Sequence, residues 1–181
     1  MAQGRASELF PMADTASNFF RSTGLWPAQL LRTAVHQGHE IHSAAAIEDD
    51  QIQPASLDLR LGEVAYRVRA SFLPGPGATV RDKLERLSMH QIDLTTGAVL
   101  EKDCVYIVPL LEHLALKKRV SALANPKSSI GRLDVFARVI TDQGSEFDRI
   151  REGYRGPLYA EISPRSFSVL ARTGSKKSSG S

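Results

Sequence analysis

Leu57-Asp58-Leu59-Arg60-Leu61, followed by Val64-Ala65-Tyr66-Arg67-Val68-Arg69-Ala70-Ser71-Phe72, decides the fold class. In the first stretch leucines alternate with Asp58 and Arg60. In the second, Val64, Tyr66, Val68 and Phe72 alternate with Ala65, Arg67, Arg69 and Ser71. Period two puts successive side chains on opposite faces of an extended chain, so both stretches are expected to be half-buried β-strands. Pro74-Gly75-Pro76-Gly77 then breaks the pattern. Downstream, 98–101, 104–111, 119–124, 135–141, 157–162 and 167–171 read as further strands. Gly97, Asn125-Pro126, Gly144, Gly153, Gly156 and Pro164 punctuate them. Many short strands at near-regular spacing predict an all-β sandwich or barrel-like domain.

Two short helices interrupt this β pattern. Pro27 is a good first-turn residue, and Leu30, Leu31, Ala34 and Val35 follow at helical spacing, with a stop at Gly38. His36, His39 and His42 lie three apart. Three imidazoles could bind a metal, but no carboxylate is arranged with them, and they read as a surface helix end. Thr79 to Met89 reads as the second helix, capped by Thr79 with Asp82 three residues on and with Val80, Leu84 and Leu87 inward. Residues 1–22 are expected as a flexible arm whose Phe19-Phe20 dock on the body. Residues 23–173 form the domain. Residues 174–181, Gly-Ser-Lys-Lys-Ser-Ser-Gly-Ser, form a disordered basic tail.

A chain of 181 residues suits one domain that buries a full core without staples. Its 42% hydrophobic and 24% charged residues are those of a soluble globular protein. No apolar run approaches the roughly 18 residues of a membrane span. Arg5 is followed by no apolar stretch, so no secretory leader is read at the start. The single cysteine, Cys104, excludes an internal disulfide or a thiolate zinc cluster within one chain and fits a reducing, cytoplasmic setting. The net charge of +3 is unevenly spread: residues 1–116 carry 10 Lys and Arg against 14 Asp and Glu, and residues 117–181 carry 13 against 6. The basic third points to a polyanionic partner or to a solvated basic face, and composition does not choose between them.

Several chemistries have no motif here. There is no Walker loop, dinucleotide fingerprint or Gly-x-Ser-x-Gly elbow. The Cys-x-x-Cys of zinc nucleobase deaminases cannot be met with one cysteine. The richest segment is Asn125-Pro126-Lys127-Ser128-Ser129-Ile130-Gly131-Arg132-Leu133, on the loop between two expected strands. Two cations and two hydroxyls within six residues, with Gly131 allowing close backbone approach, make a phosphate cradle or an ordinary capped polar turn. Glu161 shares one face of its strand with Tyr159, opposite Leu158, Ala160 and Ile162. It is either a carboxylate tuned for proton transfer or a solvent-facing Glu on a two-sided sheet. Asp58, between Leu57 and Leu59, carries the same two readings.

Three motifs, in order, carry a resemblance. They are Ile52-Gln53-Pro54-Ala55-Ser56-Leu57-Asp58-Leu59-Arg60-Leu61-Gly62, then Lys127-Ser128-Ser129-Ile130-Gly131-Arg132-Leu133, then Asp148, Gly153-Tyr154 and Glu161. Together they resemble the dCTP deaminase family of the dUTPase-like superfamily, over about Leu25 to about Gly174 and most like its long bacterial form. The second motif departs from the bacterial Arg-Ser-Ser-Leu-Ala-Arg-Leu at Lys127 and at Ile130-Gly131. Arg138 stands where the shorter enzymes have His. The resemblance implies a mainly β, dUTPase-like distorted β-barrel with a short N-terminal helix and one further short helix. It implies a homotrimer with active sites between subunits. It also implies hydrolysis of dCTP to dUTP and ammonia in deoxynucleotide biosynthesis, without zinc, with Mg²⁺ accompanying the triphosphate and dTTP as an inhibitor.

Carried over by residue, Glu161 matches the catalytic glutamate, and Ser128 and Arg132 match the serine and arginine beside it. Lys127 and Ser129 match triphosphate contacts, with Ile130 and Gly131 in the same nucleotide-binding segment. Asp148 matches a nucleotide-binding aspartate, and Tyr159 and Ala160 match the strand lining the base. The family's closing C-terminal segment is not recognisable past Gly174, and no second, related half follows. The resemblance therefore implies a truncated copy with weakened or lost activity.

Other classes stand beside this one. A dUTP diphosphatase or a bifunctional relative would release pyrophosphate, though Arg132-Leu133 with Glu161 favours the deaminase. A non-catalytic remnant would bind nucleotide without turnover. An RNA-binding domain lacks the interleaved aromatics that stack bases, since one Tyr lies near the basic turn. Neither nucleic acid nor membrane is an expected partner.

Overall fold

The computed structural model describes residues 24–37 and 40–174, without the side chains of Ser128 and Ser129. The expected arm at 1–22, the helix stop at Gly38, His39 and the tail from 175 lie outside the described residues.

Helix α1 (Ala28–His36) follows an extended Pro27 and buries Leu31 and Ala34. Strand β1 (Ile41–Ser43) pairs antiparallel with β5 (Val105–Ala115), which sets His42 opposite His113. His36 and His42 therefore sit on different elements. Among the described residues no group of three or more His, Cys, Asp or Glu could hold a metal ion. Helix α2 (Val80–Leu87) starts as expected: Thr79 Oγ1 accepts from the Asp82 N–H at 3.1 Å, and Asp82 Oδ2 accepts from the Thr79 N–H at 2.8 Å. The expected helix ran to Met89. Instead Ser88 begins strand β3 (Ser88–Asp93), because Ser88, His90 and Gln91 pair with β2 (Val64–Val68), and sheet pairing overrides local propensity.

The main sheet has six strands in the antiparallel order β3-β2-β5-β9-β7, with β1 also on β5; β7 is Val135–Thr141 and β9 is Arg155–Pro164. Two ribbons flank it. Strand β4 (Ala98–Leu100) pairs with β10 (Val169–Ala171), and β6 (Ala122–Leu123) pairs with β8 (Arg149–Ile150). The mainly β class holds, but the sheets do not close: β3 and β7 stand at the edges of the main sheet, so among the described residues the expected barrel is an open sheet with ribbons. A third helix is also present. Helix α3 (Ser128–Arg132) replaces the loop expected between β6 and β7.

The opening stretch Leu57–Leu61 is not a strand. It makes only isolated bridges, Ile52 to Leu57 and Leu61 to Leu110. Arg60 within it is buried: its Nε donates to Glu112 Oε1 at 2.8 Å, and its guanidinium also donates to Ala45 O, Ala46 O and Ser43 Oγ. Strand β5 outruns its expected end at 111 for the same reason, since this pair lets Glu112 lie inside the sheet. At Gly62 the chain crosses so close to β5 that a Cβ would lie 2.6 Å from Pro109 O.

The sheet buries both faces. Ala65, Val108, Leu110, Val139, Leu158, Ala160 and Ile162 join the main core on one face. On the other, Val68, Val80, Leu84, Ile107, Ile140 and Tyr159 form a smaller core beneath α2. The alternation along β9 fixes which face each residue serves.

Candidate active site

Strand β9 lies between β5 and β7, so a polar side chain on it must find partners in its own sheet. Glu161 is 1% exposed and sits opposite Ile107 on β5 and Arg138 on β7. Arg138 Nη2 donates to Glu161 Oε1 at 2.6 Å, and Ser71 Oγ donates to Oε2 at 2.7 Å. Arg138 Nη2 also donates to Ser71 Oγ at 2.9 Å, which closes a triangle. The guanidinium lies 3.5 Å from the Phe147 ring centre and 4.6 Å from that of Phe136, an arrangement that favours a cation over each ring. Glu161 is thus a buried, ion-paired carboxylate, not a solvent-facing one.

The second motif begins at Lys127, whose Nζ donates to Asp58 Oδ2. This pair ties the first motif to the second, and Asp58 too is largely buried. Ile130 is buried, and its N–H donates to Lys127 O at 3.0 Å. A Cβ on Gly131 would meet nothing within 4 Å, so the chain's own packing does not require glycine there. Arg132 closes α3 and is exposed. It makes no ion pair with Glu161, whose cationic partner is Arg138. The side chains of Ser128 and Ser129 lie outside the described residues.

A cleft of about 320 Å³ brings Gly131, Asp134, Phe136, Arg138, Asp148 and Arg165 together. Asp148 is clamped there at φ 60°: its Oδ1 accepts from the Val139 N–H at 2.7 Å, and its own N–H donates to Val139 O at 2.9 Å. Tyr159 lines a different cleft, of about 650 Å³, with Tyr66, Arg81, His113 and Asp142. Burial, and then the Asp142 carboxylate, push its hydroxyl up to about 12. Ala160 is fully buried on the opposite face, so its methyl points into the main core.

Of the residues singled out from the sequence, Gly131 and Asp148 therefore share one cleft, with Glu161 held by the Arg138 that lines it. Lys127 is joined to Asp58. Arg132, Tyr159 and Ala160 are not brought onto Glu161 within this chain. Sequence reasoning missed Ser71, Phe136 and Phe147. The one signal available was Arg138, noted as a departure from the shorter enzymes.

These features define a mainly β domain with a buried, arginine-paired carboxylate and a short basic helical turn packed on β7. The family model described as the 2'-deoxycytidine 5'-triphosphate deaminase (DCD) N-terminal domain matches residues 22–179. The chain belongs to the dCTP deaminase family. It is similar to the crystal structure of 2'-deoxycytidine 5'-triphosphate deaminase from Agrobacterium tumefaciens, with 59% identity and a TM-score of 0.81, over 84% of this chain and 45% of that one. The chain thus spans under half the length of that relative. No helix among the described residues is long and apolar enough to cross a membrane.

Proposed function

We propose that this chain hydrolyses dCTP to dUTP and ammonia, with Glu161 as general base and then general acid. The observation that carries this reading is the buried Glu161 carboxylate, oriented from both sides, in a chain of the dCTP deaminase family. Attack at C4 of cytosine needs a water that loses a proton, a proton on ring N3, and a proton on the leaving amine. One carboxylate does this in sequence. It takes a proton from the attacking water and gives it to N3, then takes the second hydroxyl proton and gives it to the departing amine. The C4–O bond forms, the C4–N bond breaks, and ammonia leaves. Cys104 is the one cysteine, which leaves no thiolate set for zinc within the chain, and in this reading Glu161 activates the water.

Ser128 would place the water, and Arg132 would stabilise the charge that develops. Lys127, Ser129, Ile130 and Gly131 would take the triphosphate, Asp148 the nucleotide, and the Tyr159-Ala160 strand the base. Mg²⁺ fits as a companion of the triphosphate: it keeps several waters and binds chiefly through phosphate oxygens, so it needs no protein cage, and none is found among the described residues. Arg132 is exposed and unattached to its own Glu161, which supports a homotrimer in which α3 of one copy serves Glu161 of another.

The test is to supply dCTP with Mg²⁺, and dUTP in parallel. Ammonia from dCTP supports the deaminase. Pyrophosphate from dUTP points to a diphosphatase or a bifunctional enzyme, and binding of dCTP or dTTP with neither product makes the chain a nucleotide-binding module.

A further inference from the structure

Nothing in the deaminase reading accounts for Ser71 or Arg138, yet both touch the carboxylate on which it rests. Ser71 lies beyond the end of β2, and 90 residues separate it from Glu161. Arginine has donors only, so Ser71 Oγ must accept the bond from Arg138 Nη2. Its single proton is then directed to Glu161 Oε2. Arg138 occupies Oε1 in the same way. A carboxylate offers about four acceptor positions, two per oxygen. The triangle uses one position on each oxygen, so both ends of the carboxylate are held.

The guanidinium is itself fixed, between the Phe147 and Phe136 rings. Its Nε is buried, and the side chain also lines the 320 Å³ cleft.

We infer that Arg138 and Ser71 are positioning residues that fix the orientation of the Glu161 carboxylate, with Arg138 also lining the 320 Å³ cleft. This rests on the deaminase reading for its kinetic consequence, but not for its geometric one. Lysine keeps the charge and a donor nitrogen but lacks the planar guanidinium that lies over Phe147 and Phe136, and leucine keeps neither.

The experiment compares Arg138→Leu, Arg138→Lys and Ser71→Ala in the full chain, measuring ammonia release from dCTP, melting temperature and a crystal structure of each variant. In Arg138→Leu, kcat is expected to fall at least about 100-fold with KM within about threefold, because an interaction that aligns the base is lost from the transition state and not from uniform binding. Arg138→Lys should recover at least about tenfold of that loss, and Ser71→Ala should lose about tenfold. The Glu161 carboxylate should be rotated in Arg138→Leu and kept in Arg138→Lys. A rise in KM with kcat unchanged, or turnover of Arg138→Leu within threefold of the parent, overturns the inference. An unmoved carboxylate in Arg138→Leu overturns it whatever the activity. Should the parent release no ammonia, the deaminase reading fails, and the crystal structures alone decide the positioning role. A variant that melts early does not escape the comparison, because equal kcat in the Lys and Leu variants also overturns it.

Discussion

Replacing Glu112 by Gln removes half of a charge pair that is sealed inside the domain. The Glu112 side chain is 0% exposed, and the Arg60 side chain is 9% exposed. The carboxylate accepts from the Arg60 backbone N–H at 2.8 Å, from Arg60 Nε at 2.8 Å and from Gln51 Nε2 at 3.2 Å. A glutamine there has one acceptor oxygen, and its amide would face one of these donors. The guanidinium would stay buried with its charge uncompensated. Losing one partner of a buried pair costs about 3–5 kcal/mol. For a domain of this size each kcal/mol lowers the melting temperature by about 2–4 °C, so the expected drop is about 6–20 °C. The double variant Arg60→Met/Glu112→Leu removes both charges together and should recover most of that loss, since apolar replacement of a buried pair is often neutral or stabilising. Thermal unfolding at one fixed protein concentration measures both, which keeps any effect of assembly constant. A drop below about 2 °C in Glu112→Gln, or a double variant no better than the single one, would refute the reasoning that an unpaired buried guanidinium carries this cost.

Three smaller predictions follow from other contacts. Thr79→Ala should cost about 1 kcal/mol in chemical denaturation, because it removes the hydroxyl that accepts from the Asp82 N–H at the start of α2. Tyr154 and Tyr159 hold their protons to about 12 in the folded chain, chiefly through burial, against about 10 when unfolded. The folded state binds these protons more tightly, so this stability is whole below about pH 10 and is lost as pH rises toward 12; tyrosinate absorbance during an alkaline titration should show both ionising late. Arg132→Ala should leave thermal stability within about 0.5 kcal/mol of the parent, since the side chain is exposed, while ammonia release from dCTP is lost.

Much of the fold can be read locally. Strand β7 falls at the expected 135–141, and the start of α2 rests on a capping pair visible in the sequence. The division of β9, with Leu158, Ala160 and Ile162 on one face and Tyr159 and Glu161 on the other, follows from period two alone. The misreadings share one cause. At Leu57–Leu61 the alternating polar residues are held in ion pairs whose partners, Lys127 and Glu112, lie 69 and 52 residues away. At Ser88 a strand forms because β2 is beside it, and no local preference announces that neighbour. The site divides in the same way. Glu161 and the Lys127–Arg132 segment stand out by residue type and motif. Ser71 and the Phe136–Arg138–Phe147 stack become visible only when the register sets Arg138 opposite Glu161.

The central claim is that Glu161 moves the protons of dCTP deamination. The direct measurement is ammonia release from dCTP and Mg²⁺ by the parent chain and by Glu161→Gln, with dCTP binding followed calorimetrically in both. The parent should release ammonia, Glu161→Gln should lose at least about 1,000-fold of that rate, and dCTP affinity should stay within about threefold. Near-normal turnover by Glu161→Gln would contradict it.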